Sequence, residues 1–323
     1  MRRRAFITLL GGAAAWPISA RAQQPAMPVI AYLGVGPPIA DHLSGLRKGL
    51  SDRGYVEGRN LAIEFRTTEQ YDRLPALAAE LVRQRVSVIV TAANVNAAQA
   101  ARAATATIPI VFTLGNNPVR VGVVPSLSRP GGNATGVTFL AQELTAKRIE
   151  VLHELVPQGT TIAVLANPTN AVNELNTGDV QAAAGSIGQQ IFALGASTAN
   201  EIEMAFATFA QQQLGGLLIV GDAFFVSRID QIVELAARNR IPAIHFDPGF
   251  TRAGGLMSYS DDRAESWRQA GRYVGRILKG EKPADLPVLQ PTKFEFIINL
   301  KAAKVLGIEF PPSFHLRATE VIE

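Results

Sequence analysis

The chain reads as an α/β protein of two doubly wound, Rossmann-like lobes on parallel sheets, and three observations predict this. Short apolar, β-branched runs alternate with segments of helical spacing through almost all of its 323 residues. The runs are continuously apolar, so both faces of each sheet are covered, as in parallel sheets flanked by helices. The alternation then begins a second time past Pro157.

In the first half the strands are Val29–Leu33, Leu61–Phe65, Val86–Val90 and Ile110–Thr113. Leu43, Leu46 and Leu50 make one helical stripe, with Asp41 as its N-cap and Gly54 as its stop. Leu74, Leu77, Ala78 and Leu81 make the next. In the second half the strands are Ile162–Ala166, Gln190–Leu194, Leu217–Val220 and Ala243–Phe246. Helices are expected near Ala171–Ile187, Glu201–Gln212 and Phe225–Asn239. A local echo ties the halves together: Ile108-Pro109-Ile110-Val111-Phe112 and Ile241-Pro242-Ala243-Ile244-His245-Phe246 each follow a helix and a buried strand. Proline as the first strand residue removes no ladder hydrogen bond.

Two Gly-rich passages, Arg129–Gly136 and Ala253–Gly255, are expected to carry the chain between lobes. A long amphipathic helix with Trp267, Ala270, Gly271, Val274, Ile277 and Leu278 on one face follows and ends at Lys279-Gly280. The predicted division is residues 28–137 plus 260–282 for the first lobe and 138–259 plus 283–323 for the second. A hinge of several strands permits closure about a cleft.

Residues 1–22 are expected to be an export signal. Arg3-Arg4 is a twin-arginine pair, Ile7–Trp16 an apolar run, and Ala20-Arg21-Ala22 a small-residue exit. The run is shorter than the roughly 20 residues of a spanning helix. Cleavage after Ala22 removes four of the 31 Lys and Arg and none of the 27 Asp and Glu, leaving 27 of each. The net charge of +4 therefore belongs to the signal, and no nucleic-acid partner is called for. There is no cysteine, hence no disulfide and no thiol to lipidate, so the expected address is the periplasm, free of an anchor.

Chemical motifs are few. Gly34-Val35-Gly36 continues as Pro37-Pro38-Ile39, which departs from a dinucleotide fingerprint and removes two backbone donors, so a tight turn is favoured. His42, His153, His245 and His315 have no metal-ligand spacing, and His153 reads as a surface residue. No G-x-S-x-G, H-E-x-x-H or P-loop occurs. No cofactor, no metal and no enzymatic activity are expected.

Open α/β sheets bind ligands beyond their strand ends. There lie Gly36, Thr91, Asn94, Thr113 and Asn117 in the first half, and Asn167, Asp222, Phe224 and Asp247 in the second, with Phe139 and Tyr259 at the passages between. Thr and Asn can cap a helix or leave its N–H groups for a carboxylate. Asp222 and Asp247 can hold a cation or serve as N-caps; Phe224, Phe225, Phe246 and Tyr259 supply apolar walls or core.

Several stretches resemble one family. They are Gly54-Tyr55-Val56-Glu57-Gly58-Arg59-Asn60, Asp72-Arg73-Leu74-Pro75-Ala76-Leu77-Ala78-Ala79-Glu80-Leu81, Ser128-Arg129-Pro130-Gly131-Gly132-Asn133-Ala134-Thr135-Gly136 and Gly254-Gly255-Leu256-Met257-Ser258-Tyr259. The tail adds Ile277-Leu278-Lys279-Gly280, Pro291-Thr292-Lys293-Phe294-Glu295, Asn299-Leu300-Lys301 and Ala318-Thr319-Glu320-Val321-Ile322. Together they are similar to ABC-transporter substrate-binding proteins that include periplasmic tryptophan- and phenylalanine-binding members. The resemblance implies a type I periplasmic-binding architecture. It also implies a small-molecule ligand, an amino acid or related carboxylate, delivered to an inner-membrane ABC permease with a separate ATPase subunit, by a monomer. Asn117-Pro118 replaces the family's usual Asp-Pro, and the loop from Gly34 to Asp41 is short; both departures lie near the expected pocket. A ligand-sensing regulator and a periplasmic enzyme are the competing readings of such a cleft. The first would need a DNA-reading module where the export signal stands.

Overall fold

The computed structural model describes residues 27–141 and 144–323; the predicted export signal and its cleavage site lie outside them. The first sheet is built from β1 (Val29–Val35), β2 (Ala62–Thr68), β3 (Val88–Thr91), β4 (Ile110–Leu114) and β5 (Ala134–Thr138), in the order β2-β1-β3-β4-β5, all parallel. Helices α1 (Ala40–Ser51), α2 (Leu74–Gln84) and α3 (Val95–Ala104) connect them. The strand order doubles back between β1 and β3, the arrangement that opens a crevice at the carboxyl ends.

The second sheet has seven strands. β6 (Ile162–Ala166), β7 (Ile191–Gly195), β8 (Gly216–Ile219), β9 (Ala243–His245), β10 (Met257–Asp261), β11 (Phe294–Asn299) and β12 (Glu320–Ile322) run in the order β12-β11-β10-β9-β8-β6-β7. All neighbours are parallel except β10 and β11. Around it stand α4 (Thr145–Leu155), α5 (Asn173–Ser186), α6 (Ala199–Gln211), α7 (Ala223–Ser227), α8 (Ile229–Arg238), α9 (Gly249–Arg252), α11 (Leu300–Leu306) and α12 (Pro312–Arg317). β3, β4, β6 and β8 are buried at every position, as their unbroken apolar runs predict.

The long α10 (Arg263–Leu278) leaves the second sheet and lies on the first, against α1. The two helices touch backbone to backbone. A Cβ on Gly49 would stand 1.9 Å from the Arg268 carbonyl oxygen, and one on Gly271 would stand 2.2 Å from that of Leu46. Only glycine allows this approach. Beneath the pair, Ile30, Val88, Val90, Val111, Trp267 and Val274 form one dry cluster.

Several local expectations are corrected. The first helix has Ile39 at its N-cap and no side-chain cap; Asp41 sits inside the first turn. The helix expected over Phe225–Asn239 is two, α7 and α8, broken at Arg228. His153 is half-buried, with Nδ1 2.7 Å from Gln189 Oε1. The two Gly-rich passages lead into β5 and β10, so the crossings come after those strands. A third crossing was not foreseen. Leu286–Leu289 runs along β5, with Thr135 Oγ1 donating to the Leu286 carbonyl at 2.7 Å and Val137 bridged to Leu289, before the chain returns as β11. Residues 283–289, assigned from sequence to the second lobe, therefore pack on the first sheet.

Candidate ligand cavity

The carboxyl ends of β1, β3 and β4 face those of β6, β8 and β9 across a cavity between the two sheets. Both sheets contribute to its wall: Tyr32, Asn94 and Phe139 from one side, Asp222, Phe246 and Asp247 from the other. The lobes are closed on each other. Asn116 Nδ2 donates to Asn176 Oδ1 (2.7 Å), Ala171 N to Asn96 Oδ1 (3.2 Å), and the Arg120 guanidinium doubly to Asp179 (2.6 and 2.9 Å). Arg228 pairs with Glu69. A small apolar cluster of Ala141, Val226 and Phe246, flanked by Ile39 and Ile229, also bridges the two sides.

Asp222 ends the loop after β8 and caps α7, its Oδ1 accepting from Phe224 N at 2.8 Å. The same oxygen accepts from Tyr71 Oη (2.7 Å) and Asn167 Nδ2 (3.1 Å), and Oδ2 accepts from Asn170 Nδ2 at 2.6 Å. The side chain lines the cavity and is 4% exposed. Burial pushes its carboxyl above the usual range; the Tyr71, Asn167, Asn170 and backbone bonds pull it back. All four donors are neutral and favour the ionised carboxylate, while burial outweighs them. Oδ2 carries a single donor and keeps acceptor capacity.

Asp247 is held differently. Its Oδ2 lies 3.6 Å from His42 Nε2 and 3.8 Å from Arg263 Nε, and its Oδ1 accepts from Gly249 N at 2.9 Å. Burial opposes its charge, but the His42 imidazole and the Arg263 guanidinium hold the carboxyl well below the usual range. Arg263 also reaches Asp261 (3.3 Å) and the Phe246 carbonyl (3.1 Å), and lies 4.1 Å over the Phe139 ring. His42 stacks on Trp267 at 4.9 Å. Beside them, His245 Nδ1 accepts from Asp247 N at 3.0 Å, and burial depresses the imidazole to about 4.

On the first-lobe side, Asn94 caps α3 by accepting from Ala97 N (2.8 Å), while its buried Nδ2 makes no hydrogen bond of good geometry. That amide lies beside the Tyr71 hydroxyl. Ala93, just before it, is held at φ +49°, a left-handed conformation that an alanine adopts only under constraint. The Tyr32 ring also lines the cavity. The arrangement thus places an available carboxylate oxygen, unused N–H donors at a helix start and aromatic walls around one small space.

Of the sequence-predicted residues, Asn94, Phe139, Asp222, Phe246 and Asp247 line the cavity; the others stand behind it. Gly36, at φ +70°, backs onto Ser227. Thr113 Oγ1 accepts from Ala93 N and donates to the Thr91 carbonyl, so both threonines brace the Asn94 loop. Asn117 closes its own turn through Val119 N and Arg120 N. Asn167 orients Asp222. Phe224 and Phe225 are core, and Tyr259 packs against Phe296 (5.9 Å). Sequence reasoning missed Tyr32, His42, Tyr71, Asn170 and Arg263. The strand-end rule could have found Arg263, two residues past β10. Among the described residues no group of three or more His, Cys, Asp or Glu is placed to hold a metal, and no helix is long and apolar enough to cross a membrane.

The sequence pattern of the family described as "ABC transporter substrate binding protein" matches residues 29–322. A tyrosine-binding protein of Clostridioides difficile (strain R20291) is 28% identical over 282 residues, 87% of this chain and 80% of that protein. A solved conserved domain protein from Vibrio cholerae O1 biovar eltor superposes with a TM-score of 0.83 at 26% identity, covering 91% of this chain and 99% of that one. An ABC domain from Streptococcus pneumonia in complex with L-Trp gives 0.79 at 24% identity, with the same coverage of both chains.

Proposed function

The chain belongs to the ABC transporter substrate-binding protein family, and from that premise we propose that it is a solute receptor for an α-amino acid. The observation that carries this reading is Asp222: a buried, cavity-lining carboxylate with four neutral donors and, among the described residues, no cationic side chain paired with it. A buried charge without a counter-charge is costly, and a ligand ammonium at Oδ2 supplies one. The Tyr71 hydroxyl stands against both Asp222 and the Asn94 amide. The anion-binding donors, Asn94 Nδ2 and the first N–H groups of α3, are thus close to the cation-binding oxygen. An α-amino acid brings an ammonium and a carboxylate to this acceptor and these donors. Tyr32, Phe139 and Phe246 offer aromatic surface to its side chain, in keeping with relatives described as tyrosine-binding and as an L-Trp complex.

The protein performs no chemistry of its own. It is exported, loses residues 1–22, works as a periplasmic monomer and hands its ligand to an ABC permease. Lobe 1 consists of residues 28–137 and 260–282 with the added 283–289 segment, lobe 2 of 138–259 and 290–323. The test is a thermal-shift screen of amino acids and small carboxylates, followed by mass spectrometry of ligand carried through native purification. At a hundredfold excess over Kd a ligand specific for the folded form adds about 2.7 kcal/mol. An α-amino acid is expected to raise the melting temperature and its deaminated analogue to leave it unchanged; stabilisation by the deaminated analogue alone would remove Asp222 from the recognition scheme.

A further inference from the structure

Three of the four donors on Asp222 come from its own lobe: Asn167, Asn170 and Phe224 N. The fourth, the Tyr71 hydroxyl, comes from the other lobe, 151 residues away in sequence. Tyr71 opens the one-turn 3-10 helix Tyr71–Arg73 that feeds α2, and its ring is buried in the core beneath it. It has little freedom to follow Asp222 if the lobes separate. Opening the cleft must therefore lengthen or break this one bond while leaving the other three in place. The remaining cross-lobe hydrogen bonds join groups that do not touch Asp222.

We propose that Tyr71 is a positioning residue that couples lobe closure to the ligand-reading carboxylate. In the closed form its hydroxyl occupies Oδ1, turns the free lone pair of Oδ2 toward the cavity and stabilises the ionised state. In the open form Asp222 loses that donor, its ionised form is less stabilised, and less of it is charged to meet a cation. Ligand affinity and closure then favour each other through one bond, as reciprocity between two coupled equilibria requires. A hydrogen bond to a charged group is also stronger than one between neutral groups, so the latch is firmest when Asp222 is ionised. The proposal rests on the reading of Asp222 as the partner of the ligand ammonium.

Among the described residues, Tyr71 is the only titratable group that hydrogen-bonds to Asp222. The other ionisable groups on the cavity wall are Tyr32, His42, Asp247 and Arg263; they are unchanged in every variant used below, so comparison with wild type isolates the Tyr71 effect. The probe is the proteinogenic amino acid that most raises the melting temperature of the wild-type protein. Its binding and dissociation are followed across the acid range in wild type, Tyr71→Phe, Asp222→Asn and Glu69→Gln. The last removes a rim contact between the lobes without touching Asp222.

Tyr71→Phe is expected to raise Kd roughly tenfold or more, chiefly through faster dissociation. It is also expected to move the acid limb of binding to higher pH, because losing a donor to the ionised form raises the Asp222 pKa. Glu69→Gln is expected to leave that limb in place. If Tyr71→Phe does not fold, 3-fluorotyrosine at position 71 keeps the ring; its more acidic hydroxyl is a better donor, and the limb is expected to move to lower pH. Loss of binding in Asp222→Asn with wild-type dissociation and pH profile in the Tyr71 variant overturns the coupling alone. Wild-type affinity in Asp222→Asn, or no amino acid that shifts the wild-type melt, overturns the reading of the site and the coupling with it.

Discussion

Asp222 and Asp247 are both strand-end aspartates of the second lobe, both buried, and both on the wall of the same cavity. Their surroundings are opposite. Asp247 is met by His42 and Arg263, and Arg263 is itself shared with Asp261. Asp222 is met by a phenol, two amides and a backbone N–H. The first charge is internally balanced and ties together α1, α10 and the loop after β9. The second is solvated but not balanced, which leaves it able to gain from an incoming cation. Two residues with the same position in the topology are thus met by opposite partners, and under the function proposed above that difference assigns one a structural role and the other a recognition role.

The most severe way to break this contrast is Asp247→Asn. It leaves Arg263 buried with a weakened counter-charge, and removing one partner of a buried pair costs about 3–5 kcal/mol. Urea denaturation of the unliganded protein is expected to show that loss. Asp222→Asn reverses the pattern. The amide still accepts from Phe224 N, so folding stability is expected to move by about 1 kcal/mol or less, while affinity for the amino-acid ligand falls by about 2–5 kcal/mol. Equal stability losses in the two variants, seen in the same denaturation series, would erase the distinction.

Acid sharpens it further. Burial depresses His245 to about 4 from 6.5, so the unfolded chain takes up its proton first as pH falls. Stability is expected to decline from pH 6.5 toward 4, by up to about 3 kcal/mol for a shift of this size. Asp247, with a lowered carboxyl, adds a loss in the same direction at still lower pH. Asp222, with a raised one, works the other way, since its folded form accepts a proton more readily than the unfolded chain. Denaturation midpoints measured across this range are expected to fall less steeply in His245→Asn than in wild type, and more steeply in Asp222→Asn.

Much of the fold was legible because buried parallel strands leave unbroken apolar runs, and β3, β4, β6 and β8 are of that kind. The ends of β3, β8 and β9 located Asn94, Asp222 and Asp247, since the carboxyl edge of such a sheet is where side chains can converge. The lateral walls were not legible. Tyr71 reaches Asp222 from a turn before α2, and His42 lines the cavity from the first turn of α1. Neither lies in a strand-end motif, and a tyrosine beside a leucine stripe looks the same whether it fills a core or crosses a cleft. The direction of β11 was hidden for a related reason. Its apolar pattern, Phe294 to Asn299, does not record whether its neighbour runs with it or against it. The third crossing was missed because Leu286–Leu289 carries no glycine; it is held by backbone bonds to β5.

The glycine-bedded contact of α1 with α10 also sets an order of events during synthesis. Asp52 and Arg268, which join the two helices through a 2.8 Å bond, are 216 residues apart. As the chain leaves the ribosome, the face of the first sheet formed by Ile30, Tyr32, Val88, Val90 and Val111 has only α1 over it until the whole second lobe and α10 have emerged. Loop closure over such a distance is slow, and an uncovered apolar sheet face is a surface for aggregation. The amino-terminal half is therefore committed to wait, in need of protection, for a helix encoded near the other end of the gene. A fragment cut at the first crossing would carry the five-stranded sheet but not its lid.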